Sequence, residues 1–171
     1  MIRRALLAVG LTAVVAISGA GVVSADAPAR HFTAHLTGDQ EVPPTGSPAT
    51  GMLDLRLTDN DTKLHFRLRA EGVTRIIQSH IHIGAPGTVG PVVVFFFAPT
   101  PNTVDKAVTG EDFEVAGVRT AADFALPTGV TFAAFLADLR SGNTYVNIHS
   151  PAHPGGEIRG VIKPSGEDGE D

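Results

Sequence analysis

Three histidines are spaced so that their rings can meet. His80 and His82 stand one residue apart in "SHIHIG", and His149 follows in "NTYVNIHS". In an extended strand, residues two apart project from the same face, roughly 6.5–7 Å apart at the backbone. Ile81, Ile83, Val146 and Ile148 would then point inward and the three imidazoles outward. If the two strands are neighbours, about 4.8 Å apart, the rings converge on one spot. Neutral imidazoles bind zinc at about 2.0–2.1 Å, and they suit copper or zinc far better than calcium or magnesium. His153, in "SPAHPGGE", is a candidate fourth ligand, and His65 joins only if its strand lies adjacent. A strand face near the start of the folded part accounts for His31 and His35. The competing reading leaves His80, His82 and His149 as solvated polar residues on a wet face. Ring nitrogens 3–4 Å apart would fit one tetrahedral ion, whereas separations beyond about 8 Å would favour that second reading.

Other chemistry finds little to work with. The chain has no cysteine, so it lacks a thiol nucleophile, a lipid-attachment thiol and disulfides. No Gly-x-Ser-x-Gly elbow occurs. The glycines of "GAPGTVG" lack the Gly-Lys-Ser/Thr ending of a phosphate loop. The acidic turn "DND" lacks the longer ligand pattern of a calcium loop. No catalytic or organic-cofactor residues are assigned, and the expected role is binding rather than turnover.

The elements that must carry the histidines are mostly strands. "HFTAHL" alternates Phe32, Ala34 and Leu36 with polar partners. Leu53, Leu55 and Leu57 alternate before Asp59-Asn60-Asp61, as do Leu64, Phe66 and Leu68 after it, which predicts an antiparallel hairpin. The unbroken apolar run in "GPVVVFFFAP" fits a strand covered on both faces, with its phenylalanines in the core. Phe132, Phe135, Leu136 and Leu139 recur with helical spacing, and Gly142 closes that run, predicting one short helix. In "GGEIRGVIKP", Ile158 and Ile162 turn inward, and Glu157 and Arg159 are expected to form a surface ion pair. The expected fold is mostly β: an antiparallel sandwich or flattened Greek-key-like barrel with one helix.

The chain opens on "MIRRALLAVGLTAVVAISGAGVVSADA", with arginines, a short apolar stretch and small residues in succession. That is the layout of a secretory signal peptide over residues 1–25, cleaved near Ala25 or Ala27. A secreted, extracytoplasmic location follows, with a β domain over 32–163, an acidic disordered tail over 164–171 and no transmembrane segment in the mature chain. Cleavage removes Arg3 and Arg4 and no acid, so the formal charge moves from −5 two units further negative. An acidic surface argues against nucleic acid or anionic membrane as partner. It leaves an extracellular protein, a small ligand or a metal ion.

Taken in order, "LTGDQEVPP", "SHIHIGAPGTVGPVV" and "LRSGNTYVNIHSPAHPGGEIRGVI" resemble the CHRD domain, the module named after chordin. The resemblance runs over most of the chain, from Phe32 to Lys163, and implies an extracellular β domain, with little implied about activity. A more distant likeness is to copper/zinc superoxide dismutase. There a His-x-His pair and a late histidine hold copper on the outside of a β-barrel, which implies matching roles for His80, His82 and His149. No histidine lies between His82 and His149, so the bridging ligand and zinc loop of that family are missing. The leading expectation is a non-catalytic CHRD binding module with a surface three-histidine copper or zinc site. The alternative is a copper-dependent redox enzyme of dismutase type.

Overall fold

A computed structural model describes residues 28–98 and 112–166. The expected signal segment and the last acids of the tail lie outside the described residues. The strands are β1 (His31–Thr37), β2 (Thr50–Thr58), β3 (Lys63–Glu71), β4 (Gln78–Ile83), β5 (Val92–Phe97), β6 (Asp112–Thr120), β7 (Thr144–His149), β8 (Ile158–Val161) and β9 (Lys163–Pro164). Among the described residues one α-helix, α1 (Phe132–Ser141), precedes β7. The sheet runs β5-β4-β7-β8-β1-β2-β3-β6, with β9 also pairing β1. Every pairing is antiparallel.

The β2–β3 hairpin forms where alternation predicts it. Asp59, Asn60 and Asp61 all take positive φ, at 52°, 55° and 65°. Short polar side chains tolerate that left-handed region better than any other non-glycine type. The register sets Leu53 against Leu68 and Leu55 against Phe66, and these residues are buried in one core with Phe32, Leu36, Val146, Ile148 and Ile158. The helix is capped at both ends. Thr131 Oγ1 accepts the Ala134 N–H at 3.1 Å, and Gly142 adopts the left-handed conformation at φ 75°. Its Phe135, Leu136 and Leu139 are buried.

The two ends of the sheet nearly meet, giving a flattened barrel. Arg119 on β6 donates from Nε to the Phe95 carbonyl at 2.9 Å and from Nη2 to the Phe96 carbonyl at 3.2 Å. The Phe66 and Phe96 rings stack across the interior with centroids 4.1 Å apart. Two expectations need correcting. β5 ends the strand order and is covered on both faces only in part: consecutive Val93 and Val94 are buried and Phe96 enters the core, while Phe95 is 42% exposed. At the other end, Pro164 pairs with Phe32 and Ser165 donates to the His31 carbonyl, so the sheet continues beyond Lys163. Among the described residues no helix is long and apolar enough to cross a membrane.

Candidate metal centre

β4 and β7 are direct neighbours, with Gln78 opposite His149, His80 opposite Asn147 and His82 opposite Tyr145. This places all three expected ligands on one face of one strand pair. One ring nitrogen from each of His80, His82 and His149 lies within 4.8 Å of the others. Donors on a four-coordinate ion with bonds of about 2.0–2.1 Å stand about 3.4 Å apart. Small ring rotations would therefore be enough for all three to reach one ion. The ring centroids of His80 lie 4.6 Å from His82 and 4.5 Å from His149.

The face that alternation turns outward is not wet. His80, His82 and His149 are 2%, 7% and 5% exposed. The expected surface site is a buried one because the loops 38–49, 84–91 and 150–157 fold over this face. They attach to it through hydrogen bonds. His82 Nδ1 bonds the Gly90 carbonyl at 2.7 Å, and His149 Nδ1 bonds the Pro154 carbonyl at 3.0 Å. A carbonyl only accepts, so each Nδ1 carries the proton and each Nε2 presents a lone pair. Backbone carbonyls commonly fix metal-binding histidines in this way.

Two ring nitrogens of these histidines have no hydrogen-bond partner. His80 Nδ1 and His149 Nε2 are buried without a hydrogen-bond partner. Leaving such a group unpaired costs about 1–3 kcal/mol, and a metal ion bound at either nitrogen would remove that cost there. Burial also keeps all three imidazoles below their usual pKa range. For His80, burial and then the adjacent His149 and His82 rings lower it to about 3. The rings are therefore neutral and ready to ligate at ordinary pH.

The polar surroundings were only partly foreseen. Glu157 and Arg159 do not form an exposed pair. Both are buried, Glu157 Oε1 accepts the Ser47 hydroxyl at 2.8 Å, and Arg159 Nη2 donates to the Thr88 carbonyl at 2.7 Å. The Arg159 guanidinium lies 3.4 Å from the centre of the Tyr145 ring, which stacks on His82 at 4.5 Å. Sequence reading left Asn147 and Glu41 without a role. Asn147 Oδ1 is 3.2 Å from His82 Nε2, and the buried Glu41 carboxylate bonds the Asn147 side chain. Asn147 has the same parity as Tyr145 and His149, a signal that was available. Glu41 reaches the site from a loop and left none.

The other histidines stand apart. His153 lies in the covering loop, where its backbone hydrogen-bonds Ser150, and it is not in the three-ring group. His65 is exposed on β3 and bonds Thr58 Oγ1. His31 and His35 sit on β1.

The sequence profile of the CHRD domain matches residues 32–162. The chain belongs to the CHRD domain family. Neither a curated protein nor a solved structure matches it. The residues around the three rings, from Glu41 to Arg159, lie inside the matched span, so the three-ring group is part of the CHRD domain itself.

Proposed function

We propose that this CHRD domain is an exported binding module that retains one copper or zinc ion on His80, His82 and His149. The observation that carries the reading is the pair of buried, partnerless nitrogens, His80 Nδ1 and His149 Nε2, in a group of neutral rings. When bound, the ion would supply a cross-link between β4 and β7 and add folding free energy by binding only the native chain. The depth of the rings favours holding the ion over turning over a substrate, so capture or bracing is preferred to dismutase-type redox chemistry. Export rests on the layout of residues 1–25, with cleavage near Ala25 or Ala27.

Elemental analysis and titration of the purified chain test the metal assignment. One Cu or Zn per chain is expected, with binding lost in the His80→Ala/His82→Ala double variant. Undiminished binding by that variant would overturn the proposal.

A further inference from the structure

Resting on the metal-binding reading above, we infer that Asn147 supplies the fourth donor, its amide oxygen completing a set of three nitrogens and one oxygen. In the strand register Asn147 lies across from His80 on one side and Arg159 on the other. Its side chain therefore rises in the middle of the histidine group, and it is buried there. Its Oδ1 lies 3.2 Å from His82 Nε2, and His80 stands directly opposite it on β4.

The partners on each side fix which atoms face each other. His82 gives its one proton to the Gly90 carbonyl, so its Nε2 is a bare lone pair. Burial raises the Glu41 pKa, and the Arg159 cation together with a hydrogen bond to the Asn147 side chain offsets this only in part. The Asn147 side chain turns its amide oxygen to His82. Two acceptors thus face each other at 3.2 Å with no proton to share, in a buried setting where such a mismatch is costly. A cation between them makes the arrangement favourable. The separation also matches the edge, about 3.4 Å, between donors on one tetrahedral ion with bonds of about 2.0–2.1 Å. A mixed nitrogen and oxygen set of this kind suits Zn(II) or Cu(II).

Replacement by cysteine reads out the position directly. The chain contains no cysteine, so any thiolate absorption in Asn147→Cys reports residue 147 alone. Metal-free wild-type chain and Asn147→Cys are titrated with Co(II). The expected result is histidine-site d–d bands in both, and an intense near-ultraviolet thiolate-to-cobalt band in Asn147→Cys only. Co(II) bound by Asn147→Cys without that band would overturn the inference. Asn147→Leu gives a second route should the cysteine variant misfold. Its Co(II) affinity should fall by more than about 100-fold, beyond the range of about 10–100-fold typical of losing an outer hydrogen-bond partner. A loss within that range, or none, would overturn the donor role. Wild-type chain that takes up no Co(II), or a His80→Ala/His82→Ala variant that takes it up equally, would instead overturn the metal reading and this inference with it.

Discussion

At the scale of single residues, the centre depends on burial to keep imidazoles unprotonated and on backbone carbonyls to aim them. His80 illustrates the first point. Its pKa falls from 6.5 to about 3 in the folded chain, so below pH 6.5 the unfolded chain takes up a proton that the native chain refuses. The contribution of His80 to stability is therefore present above pH 6.5 and is lost as pH falls from 6.5 toward 3. His80 ring signals followed by NMR on metal-free chain should show no titration between pH 7 and pH 5. A midpoint near 6.5 would contradict the burial argument. Gly90 illustrates the second point. A Cβ there would lie 1.7 Å from the Ile83 carbonyl oxygen, so Gly90→Ala must displace the loop that holds His82. The expected cost is about 1–3 kcal/mol in urea unfolding, with metal affinity weakened by about 10–100-fold.

At the scale of elements, alternation carries the fold wherever each strand has one face in the core. β1, β2, β3, β7 and the helix fall where apolar spacing puts them, and His80, His82 and His149 share a face for the same reason. β6 gave no such signal, because its inward positions answer to neighbours rather than to a pattern. Phe113 and Val115 are followed on that face by Gly117 and Arg119. A Cβ at Gly117 would stand 3.0 Å from the Phe66 ring, and Arg119 closes the seam to β5 while stacking 4.9 Å from the Phe66 ring centre. The depth of the histidines was equally hidden. Their covering loops attach through the carbonyls of Gly90, Thr88 and Pro154, which every residue type possesses and no side chain advertises. Arg119→Ala should lower stability by about 1–3 kcal/mol, as lost hydrogen bonds and a cation–π contact together suggest. Thermal unfolding of that variant checks the seam, and an unchanged melting temperature would show that the barrel does not depend on it.

At the scale of the whole molecule, a chain without disulfides relies on one continuous core and on loops clamped over one sheet face. An ion bound to His80, His82 and His149 would join β4 to β7 and hold two of those loops through His82 and His149. Zinc or copper at 100 times its dissociation constant should therefore raise native stability by about 2.7 kcal/mol, read as an upward shift of the melting transition that the His149→Ala variant lacks. The central claim concerns where the ion sits. Anomalous diffraction from crystals of the metal-loaded chain, recorded at the zinc or copper edge, locates it. The account predicts one strong peak per chain within about 2.0–2.1 Å of a nitrogen of each of the three rings. A peak at His65, His153 or the acidic tail, with none between His80, His82 and His149, would contradict it.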